Sequence, residues 1–148
     1  MKKLFIIIAW CAITLVLFAK DQTNITITGN DTMQFDIKSF NATAGSEFKL
    51  TFRNTGKLPK IAMGHNLVIL KKGVSAIKFG QKVLAAGGSA TNALPESVMS
   101  DVLAHTQLLG PGEEELITFK VPLEKGSYQY VCTFPGHFAM MRGVMEVE

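Results

Sequence analysis

Seven short runs of alternating or β-branched residues recur along this chain: TNITITG from Thr23, MQFDIKSF from Met33, EFKLTFRNTG from Glu47, NLVILKK from Asn66, ELITFKV from Glu115, SYQYVC from Ser127 and GVMEVE from Gly143. Side chains alternate across a strand, so each run can bury one face only by pairing with others in a sheet. Between the runs stand NATAGS, NTGKLP and GPGEEE, rich in the residues that set turns. The spacing predicts an all-β, antiparallel sandwich or barrel. Residues 74–105 break the rhythm and are too long for a structureless loop in a compact domain. Around PESVMSDVLAH, Leu94, Val98 and Val102 fall at helical spacing, with Pro95 and Glu96 suited to a first turn. One or two short helices are expected there, packed outside the sandwich. The preceding AIKFGQKVLAAGG does not choose between helix and strand.

The first residues, MKKLFIIIAWCAITLVLFAK, set two lysines before an apolar run from Leu4 to Ala19, the order of an export signal. Cleavage after Ala19 is the preferred reading, giving residues 1–19 as the signal and 20–148 as one domain with one core. The run approaches the roughly 20 residues that span a bilayer, so an uncleaved N-terminal anchor is the alternative. Either way the domain works outside the cytoplasm, in a periplasm or its equivalent. Trp10 stands just before Cys11, where lipid attachment wants a small residue. The net charge of +3 falls to +1 without Lys2 and Lys3, and the other lysines are scattered among carboxylates. That gives no footing for nucleic-acid or polybasic membrane binding, and leaves the N-terminal segment as the membrane contact. Asn24, Asn30 and Asn41 each head an N-x-Thr triplet, which matters only in a glycosylating pathway.

Of the two cysteines, Cys11 lies in the export segment, so the exported domain keeps Cys132 alone and makes no internal disulfide. A lone thiol in an oxidising compartment needs protection, and metal ligation is one form of it. Cys132 opens CTFPGHFAMM at the end of one strand run, and Met141 stands just before the next. The chain must fold back between them, with Pro135 and Gly136 supplying the bend. Thiol, His137 and thioether are then brought around one point. A further ligand is expected from His65 in MGHNLVIL, at the mouth of another strand. Two imidazoles and a thiolate with a weak axial thioether is the ligand set of a blue-copper electron-transfer site. Each residue alone reads more simply: a hydrogen-bonded histidine, a buried thiol, a core methionine. The combination Cys-x4-His-x3-Met after a strand is more specific than its parts.

These segments, with LPKIAMGHN, AHTQLLGPGE and CTFPGHFAMMRG, make the chain resemble the azurin-type members of the cupredoxin family over most of the exported domain. The resemblance implies a Greek-key β-sandwich of about eight strands with a helical flap, one copper ion cycling between Cu(I) and Cu(II), and one-electron transfer. It also implies that the Gly64 carbonyl faces the copper opposite Met141 and that Asn66 braces the ligand loops. His105 falls in the surface turn and is no ligand. Azurins usually carry a disulfide near the N-terminus, worth about 2–4 kcal/mol, which this domain cannot form. Leu67 stands where they carry tryptophan.

The soft thiolate and thioether favour Cu(I) and the imidazoles suit Cu(II), so the mixed set serves both states. It leaves no open position for a substrate, which argues against an enzyme. Leu58, Met63, Phe134, Pro135 and Met140 are expected to form an apolar docking patch around His137, of the kind transient redox partners use. Such partners would be c-type cytochromes or oxidoreductases. Glu113 to Glu115 reads as a solvated turn. A copper carrier that delivers the ion with the same ligands is the main alternative. A Cys132–His137 nucleophile and base lacks an orienting carboxylate, and a zinc site would not choose methionine.

Overall fold

The computed structural model describes residues 23–148; residues 1–19, expected to be an export signal or anchor, lie outside the described residues, Cys11 among them. Nine strands form two sheets: β1 (Asn24–Asn30), β2 (Gln34–Phe35), β3 (Ser39–Ala42), β4 (Glu47–Asn54), β5 (Val68–Leu70), β6 (Val102–His105), β7 (Glu114–Lys120), β8 (Gly126–Val131) and β9 (Arg142–Val147). One sheet runs β2-β1-β4-β7 and the other β3-β9-β8-β5-β6. The sandwich expected from the spacing is present, but its sheets are mixed. β1 pairs parallel to β4 and β3 parallel to β9, while the other neighbours are antiparallel. The two strands beyond the seven sequence runs have two sources. The run from Met33 divides between the two sheets at Asp36, whose carboxylate accepts from the N–H of Thr28 at 2.7 Å and of Ile37 at 2.8 Å. Those bonds take the place of a ladder and let the chain cross over.

β4 shows why the sheets face each other. Phe48, Leu50, Phe52 and Asn54 are buried while Glu47, Lys49 and Arg53 alternate outward. The inward faces meet in a core of aromatic rings: Phe35 lies edge-on to Phe52 at 5.7 Å and against Tyr130 at 5.3 Å, and Phe40 packs on Tyr130 at 5.7 Å. Such pairs add about 0.5–1.5 kcal/mol each beyond their burial. The Tyr130 hydroxyl donates to the Ile37 carbonyl, so its polar end is satisfied. Leu67 is fully buried among these residues, a core position as its place in the sequence suggests.

The second source is the stretch after Pro95. Glu96–Asp101 forms only a 3-10 helix, and Val102 begins β6 instead of a further helical turn. There the Asp101 carbonyl accepts from Lys71 N–H at 2.8 Å, and β6 pairs with β5. The helix lies earlier, in the undecided stretch: α2 (Ala76–Ala85), after the one-turn α1 (Lys60–Met63). Ser75 caps α2, and Ala76, Phe79, Gly80 and Val83 form its buried face at the spacing of a helix stripe. This face covers Val68, Leu70 and Val131, so β5 is buried on both sides.

Gly80 faces the loop between β8 and β9, where a Cβ would run into the ring of Phe138. The close approach seats α2 directly on that loop. Gly80→Ala should therefore lower stability, despite the roughly 1 kcal/mol that alanine gains in helix propensity. Overpacking of this kind costs about 1–3 kcal/mol. Thermal melting of the metal-free protein checks it: a drop of a few degrees is expected, and a rise would mean that Phe138 gives way freely.

Candidate metal centre

Cys132 follows β8 directly, and the chain returns to β9 within ten residues. Gly136, at φ +84°, makes the left-handed turn that starts a single 3-10 turn, His137–Ala139. The loop is closed by its own backbone. His137 N–H donates to the Phe134 carbonyl at 3.0 Å, and the His137 carbonyl accepts from the N–H of Met140 and of Met141. Cys132 N–H donates to the Met141 carbonyl at 3.0 Å, tying the two ends together.

His65 arrives from elsewhere in the chain. It follows α1 and Gly64, and is held in an isolated bridge with Leu109, N–H to carbonyl at 3.0 Å one way and 2.7 Å the other. A Cβ on Gly64 would sit 2.7 Å from the Lys60 carbonyl, so only glycine allows this close turn. Asn66 joins the two regions: its Nδ2 donates to Thr133 Oγ1 and its Oδ1 accepts from Thr133 N–H, both at 2.8 Å.

The result is a convergence of three donor atoms. His65 Nδ1 lies 3.2 Å from His137 Nδ1, while Cys132 Sγ lies 3.9 Å from the first and 3.6 Å from the second. A triangle with those sides has a centre about 2.1 Å from each corner, which is a metal–ligand bond length. All three residues are buried, and among the described residues they are the one group of three or more such donors close enough to share an ion. His65 Nε2 has no hydrogen-bond partner.

Burial sets the protonation of these groups. It lowers His65, against the opposing pull of the Asn30 carbonyl and Asp31, and together with the neighbouring His65 it holds His137 down to about 4. Both imidazoles are neutral and able to ligate at neutral pH. Burial pushes the Cys132 thiol up to about 12, although the backbone N–H groups of Asn66 and Phe134 favour the thiolate. A cation beside the sulfur is what would deprotonate it.

The remaining expected residues fall as follows. Met141 is fully buried, and its methyl carbon lies 2.5 Å from where a Cβ on Gly29 would be. Phe134 is buried, with its ring 4.6 Å from that of His137, and so packs the site instead of presenting a surface. Leu58 and Met140 are exposed, Met63 and Pro135 half-buried. Ile61 on α1 is also exposed, at 60 %. His105 ends β6, half-buried, with Nδ1 3.2 Å from the Thr106 carbonyl, and is not among the converged donors. Of the three glutamates expected in a solvated turn, only Glu113 lies in it, because Glu114 and Glu115 open β7, where Glu115 is half-buried; Glu113 accepts from Gly110 N–H and pairs with Lys60, Glu114 pairs with Arg53, and Glu115 accepts from Gln107 N–H.

The family model for copper binding proteins of the plastocyanin/azurin family matches residues 21–148. The chain is 38 % identical over 130 residues to the azurin of Alcaligenes faecalis, an alignment covering 84 % of this chain and 97 % of that one. It is 41 % identical over 120 residues to outer membrane protein H.8 of Neisseria gonorrhoeae, covering 80 % of this chain and 63 % of that longer protein. Among solved structures, reduced auracyanin from Roseiflexus castenholzii superposes with a TM-score of 0.74 at 34 % identity, over 86 % of this chain and 98 % of the other. These neighbours share the Greek-key β-sandwich, and the converged His65, Cys132 and His137 form a candidate site consistent with one copper ion. The chain belongs to the plastocyanin/azurin family of copper binding proteins.

Proposed function

We propose that this protein is a blue-copper carrier of single electrons between redox partners outside the cytoplasm. The observation that carries the reading is the buried triangle of two imidazole nitrogens and one sulfur. A copper ion held there supplies a one-electron couple between Cu(I) and Cu(II). His65, Cys132 and His137 would hold it, together with the Met141 thioether and the Gly64 carbonyl. The hydrogen bonds of Asn66 to Thr133 keep the two ligand regions in register whichever oxidation state is present. Burial excludes water from the sulfur and keeps both imidazoles neutral.

Electrons would pass at His137, under the surface of Leu58, Ile61, Met63, Pro135 and Met140, to partners that dock briefly, such as c-type cytochromes or oxidoreductases. Export by residues 1–19, cleaved or kept as an anchor, would bring the domain to them. Delivery of copper with the same ligands is the second reading. Buried donors in a closed loop favour retention, so copper exchange slow beside redox cycling separates the two.

The direct test is the visible spectrum after adding Cu(II): an intense thiolate charge-transfer band is expected, and its absence would reject the site. Cys132→Ser should abolish the band, because a hydroxyl replaces the soft thiolate poorly. Met141→Gln should retain copper at a lower potential, since a harder oxygen favours Cu(II). The docking surface is tested by Met140→Glu, which should slow electron self-exchange about tenfold at high ionic strength, where a carboxylate in the interface must still be desolvated. The spectrum should not change. Equal rates would move the electron port elsewhere.

The buried imidazoles also predict how the metal-free protein responds to acid. Unfolded histidine titrates near 6.5, whereas folded His137 stays neutral down to about 4 and His65 is lowered too. Above pH 6.5 both states are neutral and the fold keeps its full stability. Between 6.5 and 4 the unfolded chain takes up protons that the folded one refuses, and stability falls, by on the order of 2–3 kcal/mol from His137. Urea midpoints measured from pH 7 to 4 should decline across this window; a flat profile would show the rings to be solvated.

A further inference from the structure

We propose that Asn54 is a positioning residue for His65, acting through Leu109. The proposal rests on the copper reading above for its purpose, but not for its geometry. His65 lies outside any strand ladder; its backbone is held by the two hydrogen bonds of the Leu109 bridge. The Leu109 carbonyl that accepts from His65 N–H also accepts from Asn54 Nδ2, at 3.0 Å. Asn54 ends β4 in the opposite sheet, so this amide ties the bridge across the sandwich.

Asn54 is 1 % exposed and all of its polar groups are used. Its Oδ1 accepts from Gly56 N–H at 2.8 Å, its backbone N–H donates to the Glu113 carbonyl at 2.9 Å, and its carbonyl accepts from Gly112 N–H at 2.8 Å. Residues 109–113 are thus clasped to the end of β4 at three points. From the other side the Glu113 carboxylate accepts from Gly110 N–H at 2.6 Å and lies 3.5 Å from the Lys60 ammonium on α1, the helix that leads into His65. A buried amide with every group satisfied fixes one arrangement of its neighbours, because any shift leaves a donor or acceptor unpaired. Leu109 cannot slide without breaking this set, and His65 cannot slide without Leu109. Thr55, next in the chain, makes a different tie: its hydroxyl and N–H both donate to the Gly29 carbonyl on β1.

The test compares Asn54→Ala, Asn54→Asp and the control Thr55→Val. In the metal-free protein, amide hydrogen exchange is read at His65 and Leu109, with Cys132, whose N–H donates to Met141, as the internal reference. Both Asn54 variants should lose about tenfold in protection at His65 and Leu109 relative to Cys132. Thr55→Val should lower the melting temperature without changing that ratio. Asn54→Asp adds a rescue. Its ionised carboxylate repels the Leu109 carbonyl, whereas the protonated acid can donate as the amide did, so protection relative to wild type at the same pH should return on acidification. In copper-loaded protein, transfer of Cu(I) to a chelator should quicken about tenfold in Asn54→Ala. Protection lost evenly at all three amides, or unchanged at His65, would overturn the proposal. If wild type binds no copper, the exchange result still stands or falls alone, and only the functional reading fails.

Discussion

Two imidazole nitrogens and a sulfur within 3.2–3.9 Å of one another, away from water, are not an arrangement a chain reaches by burying grease. Their lone pairs converge on one point, and Nε2 of His65 goes without a hydrogen bond. Buried polar groups left in this condition cost free energy, so the scaffold must hold them against their own preference. That constraint orders the structure. The aromatic core between the sheets packs on β8 through Tyr130, and the loop from β8 to β9 carries Cys132, His137 and Met141 as one closed unit. His65 has no such local closure, and a longer chain of contacts brings it in.

The division explains why the two halves of the site are built differently. The loop from Cys132 to Met141 is short-range: ten residues, a left-handed Gly136 and four backbone hydrogen bonds fix it. Its outer side is set by Phe138, which meets α2 where Gly80 lacks a Cβ. His65 is long-range and depends on Asn66 with Thr133, on Leu109, and through Leu109 on Asn54 at the end of the facing sheet. Buried side-chain amides serve at both joints. They hold backbone to backbone with directional bonds where apolar contact would permit sliding.

How much of this the sequence reveals follows the same division. Phe48, Leu50 and Phe52 alternate with polar neighbours, and so β4 is legible; the convergence of Cys132 and His137 is legible because their spacing is local. Parallel pairing of β1 with β4 is not, since alternation looks the same whichever way a neighbour runs. The run from Met33 looks continuous, and only the bonds of Asp36 show that it changes sheet. Val98 and Val102 share a helical spacing, yet Val102 goes to β6 because β5 offers it a strand edge. The true helix is obscured by Gly80, a poor helix former placed where Phe138 of the loop between β8 and β9 approaches. Asn54, just before Thr55 and Gly56, reads as a turn residue, and nothing short of the folded neighbourhood gives its amide a destination.

A carrier of electrons gains from a site made this way. If the donors had to be gathered by the metal, each change of oxidation state could relax them toward a different geometry, and that movement would slow transfer. Here the triangle is drawn by the protein's own hydrogen bonds and packing, and it already has the dimensions of a metal site. The metal then adapts to the protein more than the protein to the metal. The thiol stays protonated until a cation arrives, while the imidazoles are neutral at once, so ion binding needs the loss of one proton, from Cys132, and no rearrangement of the frame. Rigidity at His65 and closure at Cys132–Met141 are therefore parts of one requirement: three donors held still in a dry place.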